Sequence, residues 1–318
     1  MAAVTATKTA RDLANCPPNI LRPPDFIKLA KKYFANTAIK VSVIDSKKAK
    51  KMGMNALVSV SEGSDVDSAL LELRYTPSKK KPIILVGKGV TFDSGGLSLK
   101  PPKSMPLMKG DMGGAAAVFG AMMGVKELKP KHPVIGLIPL AENMPSGTAT
   151  RPGDVITAMN GTHIEILNTD AEGRLILADA LSYATQLNPQ SILSIATLTG
   201  ACGVALGDLY GAVLSNTTDL IDHLKALGEK TGEKVWPLPL DEDYRAYLKS
   251  EIADIANVAE GKGGGTITAA KFLEQFVDNH QWAHLDIASV MHYKQSSGYL
   301  VKGMSGFGAR LLLGAVSR

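Results

Sequence analysis

The chain has 318 residues, a formal net charge of +5, 45% apolar residues and 20% charged residues, proportions ordinary for a globular protein with a sizeable core. No apolar run reaches the length of a membrane span, and the N-terminus lacks the apolar stretch of a signal peptide, so nothing here points to a membrane or to secretion. Cys16 and Cys202 are too far apart to form a CxxC pair and read as incidental thiols of a reducing compartment. The basic runs Lys47, Lys48, Lys50, Lys51 and Lys79–Lys81 lack interleaved aromatics and read as solvated surface rather than a nucleic-acid face.

In chain order, Pro23–Ala35 reads as a helix with proline in its first turn. Ile39–Ile44, Leu70–Tyr75 and the short β-branched run Ile83–Val86 read as strands. The small-residue stretch Gly113–Leu128 reads as a tightly packed helix and Val134–Pro139 as another strand. Asn160-Gly161, between Val155–Met159 and His163–Leu167, signals a hairpin. Arg174–Leu187 carries Leu177, Ala178, Leu181 and Ala184 on one helical face. A strand at Ile192–Leu198 and helices at Asp219–Glu229 and Thr266–Val277 follow. Strands alternating with helices predict an α/β fold: a mainly parallel central sheet with helices on both faces, in a single domain over residues 1–318. No internal repeat, linker or low-complexity segment interrupts it.

Two clusters carry the chemistry. Asn168-Thr169-Asp170-Ala171-Glu172-Gly173-Arg174-Leu175 puts two carboxylates and a guanidinium within five positions, just before an apolar helix. At an extended strand end, residues two apart aim to one side, so Asp170 and Glu172 would converge on a cation. A solvated turn capping the helix is the alternative reading of these eight residues alone. Upstream, Lys88 and Asp93 follow the strand at Ile83–Val86, at the carboxyl end where open α/β sheets place ligands. Glycines 87, 89, 95 and 96 permit sharp turns and close approach to a ligand. Lys100 and Asp111 come next, Asp111 just ahead of the small-residue helix, whose dipole favours a carboxylate. Gly89 after Lys88 breaks the phosphate-loop pattern, and no G-x-G-x-x-G opens a helix after a strand. The six histidines form no zinc-binding pair; His284, within a strand-like run, reads as a core residue or one supporting the site.

Together these clusters resemble the leucyl aminopeptidase (cytosol aminopeptidase) family of dinuclear metallopeptidases. The octapeptide 168–175 matches the family signature completely. Further matches are Glu142-Asn143-Met144-Pro145-Ser146-Gly147, Arg151-Pro152-Gly153-Asp154-Val155, Thr197-Leu198-Thr199-Gly200-Ala201, Thr266-Ile267-Thr268-Ala269-Ala270 and Trp282-Ala283-His284-Leu285-Asp286-Ile287-Ala288. Ala10–Asn15 with Pro17-Pro18-Asn19 resembles the start of the family's catalytic domain, so the family's smaller N-terminal domain is expected to be absent from this chain.

The resemblance implies two divalent ions (Zn, Mn, Co or Mg). Two such ions about 3.5–4 Å apart can activate water and polarise a carbonyl, provided that several anionic oxygens offset their repulsion. By resemblance, Asp93 and Glu172 bridge the pair, Lys88 and Asp111 complete one site, and Asp170 completes the other. As a metal ligand, Lys88 must give up its proton. Lys100 would donate to the substrate carbonyl and its oxyanion, and Arg174 would hold a bicarbonate acting as general base. Met108, Asn168, Thr197, Leu198, Gly200, Ala288 and Met291 align with the substrate pocket, which suits medium-sized apolar side chains.

The implied function is removal of N-terminal residues, leucine among them, from peptides with a free amine, by a cytoplasmic homohexamer. Two alternatives are a Cys-Gly dipeptidase of glutathione turnover and an added DNA-binding role, the latter not expected from these lysines. Two departures are noted: His163 stands where the family often has Thr, and Lys262 where it usually has Arg.

Overall fold

A computed structural model describes residues 1–317. In chain order it contains α1 (Ala2–Asn15), α2 (Pro23–Tyr33), β1 (Ile39–Asp45), α3 (Ser46–Lys51), α4 (Asn55–Val60), β2 (Ala69–Tyr75), β3 (Ile83–Gly87), β4 (Gly89–Asp93), α5 (Gly113–Leu128) and β5 (Val134–Asn143). The hairpin β6 (Val155–Thr157) and β7 (His163–Glu165) precedes α6 (Gly173–Thr185), β8 (Ser191–Ala196), α7 (Gly200–Leu206), β9 (Gly211–Ser215), α8 (Thr218–Thr231) and β10 (Val235–Pro237). The chain closes with β11 (Ile255–Ala256), α9 (Gly265–Glu274), β12 (Trp282–Asp286), β13 (His292–Tyr293), β14 (Gly303–Met304) and α10 (Ala309–Val316).

Nine strands form one sheet in the order β1-β2-β5-β3-β8-β12-β9-β10, with β4 beside β5. The centre, β5-β3-β8-β12, is parallel, while β1, β2 and the β12–β9 pair are antiparallel. The expected mainly parallel sheet is therefore present, with an antiparallel flank. Side-chain alternation divides the core in two. Leu85, Leu193, Ile195 and Leu285 face one side and pack with residues of α1, α2, α5 and α10. Ile84, Val86, Ile192 and Trp282 face the other and pack with α4, α6 and α9. No helix among the described residues is long and apolar enough to cross a membrane.

Some differences from the sequence reading have clear physical causes. Helix α1 was not anticipated, because its buried stripe is mostly alanine (Ala2, Ala6, Ala10), which barely stands out in hydropathy. Those small residues bring α1 against α5, where a Cβ on Gly120 would lie 2.4 Å from the Ala6 carbonyl. Strand β5 runs through Pro139 to Asn143. Strand β3 pairs with it up to Leu137 and β4 resumes at Leu140, so the proline falls where the neighbouring strand is broken. At that break the backbone of Lys88 turns away, donating to Ile195 O and accepting from Ala115 N.

Candidate metal centre and active site

The break between β3 and β4 aims Lys88 into the space beyond the carboxyl ends of the parallel strands. Its ammonium lies 2.9 Å from Asp111 Oδ2, 2.9 Å from Glu172 Oε1 and 3.0 Å from the Thr197 carbonyl. Lys100 makes the second cationic contact, 2.8 Å from Asp93 Oδ2, and it also pairs with Asp170 Oδ1. Oxygens of Asp93, Asp170 and Glu172 all lie within 4.8 Å of one another. Asp93 is fixed by Asn143 Nδ2 and Gly95 N–H, both donating to Oδ1 at 2.8 Å. The Thr197 hydroxyl donates to Asp111 Oδ1 at 2.8 Å.

The octapeptide is not a strand end. Asp170 N–H bonds to Asn168 Oδ1 and Ala171 N–H to Asn168 O, which makes a turn in place of a ladder. Asp170 and Glu172 therefore do not share one direction: Asp170 turns to Lys100 and Glu172 to Lys88, yet both carboxylates border the same space. Arg174 sits in the first turn of α6, as expected. Gly87 and Gly89 serve packing rather than approach to a ligand: a Cβ there would lie 2.4 Å from Gly114 O and 2.6 Å from Pro139 O. Gly95 and Gly96 do adopt left-handed turns, at φ +89 and +66.

Four carboxylates face two ammonium groups, so with every group ionised the cluster keeps an excess of negative charge. Burial works against the charge on Lys88, but Asp111, Glu172 and Asp93 outweigh it and hold its pKa above the ordinary lysine value. Lys100 is raised in the same way, burial being overcome by Asp93 and Asp170. Burial first, and then the neighbouring Asp93 charge, pushes Glu172 up. Asp111 is also raised, by burial against the pull of Lys88. Asp111 Oδ2, Asp170 Oδ1 and Glu172 Oε1 are buried with only the Lys88 and Lys100 ammonium groups against them, and Glu172 Oε2 is buried with no partner at all. Buried anionic oxygens left in this state are costly unless a cation meets them. The donor set, mostly carboxylate oxygen with one amine, suits hard or borderline divalent cations.

The cluster opens into a cavity of about 630 Å³. Lys88, Asp93, Lys100, Asp111, Asp170 and Arg174 line it, as do all seven expected pocket residues: Met108, Asn168, Thr197, Leu198, Gly200, Ala288 and Met291. Glu172 stands behind this surface, 2% exposed. The guanidinium of Arg174 donates through Nη1 to Asn257 O at 2.7 Å, and its Nε has no partner. Burial lowers its pKa to about 10. His163 and Lys262 lie outside the cavity: His163 pairs with Asp254, and Lys262 sits over the Tyr247 ring.

A model of the cytosol aminopeptidase family, catalytic domain, matches residues 8–313. This chain belongs to that family. The probable cytosol aminopeptidase of Azotobacter vinelandii is 49% identical over 309 residues, covering 96% of this chain and 61% of the relative. That of Pseudomonas fluorescens is 50% identical over 301 residues, covering 93% and 60%. The chain thus spans about three fifths of the length of these curated relatives. Among solved structures, the bottromycin maturation enzyme BotP in complex with Mn superposes with a TM-score of 0.95 at 40% identity, covering 100% of this chain and 71% of the other.

Several residues that build this site escaped the sequence reading. Asn257 is fully buried and binds Leu167 N, Asn168 N and Asn168 O as well as supporting Arg174. It lies in no acidic or glycine-rich cluster, and nothing in its neighbours' composition marks it. Val258, Ala259 and Gly265 form a further wall of the cavity, beside Thr268 of the matched segment Thr266–Ala270; the glycine run 263–265 was the available signal. Asn143 stood within a matched segment, but its grip on Asp93 depends on β5 lying beside β4. His284 is buried as expected, stacked on Trp282 with Nδ1 at 2.9 Å from Ser194 Oγ. Burial lowers its pKa to about 3, so it stays neutral.

Proposed function

We propose that this chain is the catalytic domain of a two-metal aminopeptidase. It releases N-terminal residues from peptides with a free α-amine and prefers leucine and other apolar residues. The observation that carries this reading is the gathering of four carboxylates round two ammonium groups at one side of the cavity, with Glu172 Oε2 buried and unpartnered. Lys88, Asp93, Asp111, Asp170 and Glu172 would hold the metals, with Asp93 and Glu172 shared between the two. The Mn complex of the related BotP structure supports divalent cations at this centre. When bound, the metals supply an activated water and a polarised carbonyl.

The chain's own residues do the rest. To serve as a ligand Lys88 would have to give up its proton, a change that nearby divalent charge favours and the carboxylates alone oppose. With Asp93 and Asp170 engaged, the Lys100 ammonium remains to donate to the substrate carbonyl oxygen and to stabilise the oxyanion. Arg174, with Nε unpaired and Nη1 anchored on Asn257, would hold a bicarbonate as general base toward the attacking water. The borrowed base is what the family resemblance implies, and it fits a cavity with no histidine in its described lining and no carboxylate outside the cluster. Met108, Leu198, Ala288 and Met291 would surround the substrate side chain, while Asn168, Thr197 and Gly200 shape its edge.

A homohexamer is proposed as well, supported by apolar residues left exposed in and just after α7, Val204 at 91% and Leu209 at 74%. Light scattering tests it, and a monomer at micromolar concentration would refute it. A cytoplasmic location is proposed on family grounds, consistent with the free thiols of Cys16 and Cys202. A comparison of Cys-Gly with leucine amide separates the dipeptidase alternative, and salt-dependent binding of duplex DNA tests the other.

The decisive experiment strips the protein of metal, restores Mn, Zn, Co or Mg singly, and follows hydrolysis of a chromogenic leucine amide against its N-acetylated form. Activity on the free amine alone, lost in Glu172→Ala, is expected. Activity that survives that substitution would overturn the assignment.

A further inference from the structure

Outside the metal cluster, another buried carboxylate lies behind the cavity wall and binds residues that line it. Asp286 ends β12 with 0% exposure. Trp282, His284 and Asp286 alternate along that strand, so all three share one face of the sheet. Asp286 Oδ1 accepts from the backbone N–H groups of Leu198 at 3.2 Å, Thr199 at 3.4 Å and Ala288 at 3.2 Å. Its Oδ2 accepts from the Thr199 hydroxyl at 2.6 Å. Thr199 Oγ in turn meets Thr266 Oγ at 2.8 Å, in the first turn of α9.

These partners are the cavity wall itself. Leu198, Thr199 and Gly200 form one part, Ala288 a second, and Gly265 with Thr268 at the start of α9 a third. Three N–H groups converge on Oδ1 and the Thr199 hydroxyl takes Oδ2, so both oxygens of Asp286 are committed to this wall. Strand β8 stops at Ala196, and the N–H groups of Leu198 and Thr199 go to this side chain instead of to a neighbouring strand. Without it they would be polar groups with no partner in a half-buried turn.

We infer that Asp286 is a positioning residue that sets the width of the pocket for the substrate side chain, by binding the turn after β8, the turn after β12 and the start of α9 into one wall. The inference rests on the aminopeptidase reading for the nature of the ligand, an amino acid with a medium-sized apolar side chain. The Asp286 charge also acts on Arg174, favouring its ionised form alongside Glu172 against the larger effect of burial. An effect through Arg174 would weaken every substrate alike, whereas an effect through the wall discriminates by side chain.

Asp286→Asn, Asp286→Ala and Thr199→Val are compared with the unaltered protein on glycine, alanine and leucine chromogenic amides, with kcat and KM separated. Leucine and glycine are also titrated calorimetrically into each metal-loaded protein. Asp286→Ala is expected to lower the leucine-to-glycine ratio of kcat/KM by about tenfold, chiefly through KM, as loss of several wall hydrogen bonds implies. Asp286→Asn keeps an acceptor oxygen for the N–H groups and retains most of the ratio. Thr199→Val, which removes only the hydroxyl bridge, falls between them and serves if the alanine variant does not fold. Leucine binding follows the same order. Equal losses on leucine and glycine, or an unchanged ratio in both Asp286→Ala and Thr199→Val, overturn the inference. If the unaltered protein hydrolyses none of the amides yet prefers leucine to glycine in an Asp286-dependent way, the hydrolytic reading falls and the inference stands. Binding of neither amino acid overturns both.

Discussion

Gly173 is the position where a single methyl group most directly tests the metal centre. A Cβ there would lie 2.6 Å from Lys88 Cε, 2.7 Å from Nζ and 2.8 Å from Cδ. Non-bonded carbons settle at about 3.5–4.0 Å, so the Lys88 side chain must move by about 1 Å. It has little room to do so. Its side chain is 4% exposed, its ammonium is held by Asp111, Glu172 and the Thr197 carbonyl, and its backbone is tied to Ile195 and Ala115. Metal–ligand distances tolerate about 0.2 Å. Gly173→Ala is therefore expected to weaken binding at the Lys88 site by about 10–100-fold, the range seen when ligands lose their orientation. Alanine in a helix gains up to about 1 kcal/mol over glycine, which offsets part of the crowding, so the metal-free melting temperature should move by only a few degrees. Calorimetric titration of Mn into stripped protein measures the affinity of each site. Gly200→Ala is the control, since a Cβ at Gly200 meets nothing within 4 Å and should leave metal affinity unchanged. Two sites of unaltered affinity in Gly173→Ala would refute Lys88 as a ligand.

Three other outcomes are expected. Lys100→Met should lower kcat by about 10²–10³-fold with little change in KM, as loss of an oxyanion donor does, and elemental analysis should still find two metals per chain; a change confined to KM would remove Lys100 from the chemistry. Restoring metal to stripped protein at 100-fold over its dissociation constant should stabilise it by about 2.7 kcal/mol per site, visible as a rise in the urea midpoint, and an unmoved midpoint would argue against metal binding to the folded state. The third concerns Asp179, whose buried carboxylate accepts from Leu57 N at 2.7 Å and Met159 N at 2.8 Å. Burial raises its pKa from 3.8 to about 7. The folded state then holds a proton that the unfolded chain releases, so this contribution to stability is full below pH about 4 and is lost as pH rises through about 7. In Asp179→Asn that loss disappears: the stability deficit of the variant, read from urea unfolding, should shrink by about 2–3 kcal/mol between pH 5 and pH 8. A deficit that is constant with pH would show that Asp179 stays ionised.

The readable parts of this chain were those whose meaning is local. The β-branched run at Ile83–Val86, the hairpin at Asn160-Gly161 and the small-residue helix Gly113–Leu128 were all found where periodicity and turn chemistry put them. Strand and helix ends were less legible. Ile192–Leu198 was read two residues too long because Thr197 and Leu198 look like strand residues, while Asp286, nearly ninety positions away, takes the Leu198 N–H. Helix α1 hid behind alanines, and the turn at Asn168–Asp170 was mistaken for a strand end because its side-chain bond to the backbone leaves no trace in the spacing. The expected pocket residues and every expected ligand except Glu172 line one cavity, with Glu172 behind them against Lys88, although their roles there rest on the proposal above.

By itself the sequence determined the kinds of group available: four carboxylates, two lysines and an arginine in two short segments, with glycines where the backbone must turn, on an alternation of strands and helices. These follow from residue type and near-neighbour sterics, which act over a few positions. Only the tertiary structure decided which carboxylate meets which ammonium, that Asn257 carries Arg174, and that Asp286 gathers the cavity wall. The sheet places β5 between β2 and β3 and β12 between β8 and β9. Contacts between residues far apart in the chain therefore depend on a strand order that no local pattern encodes.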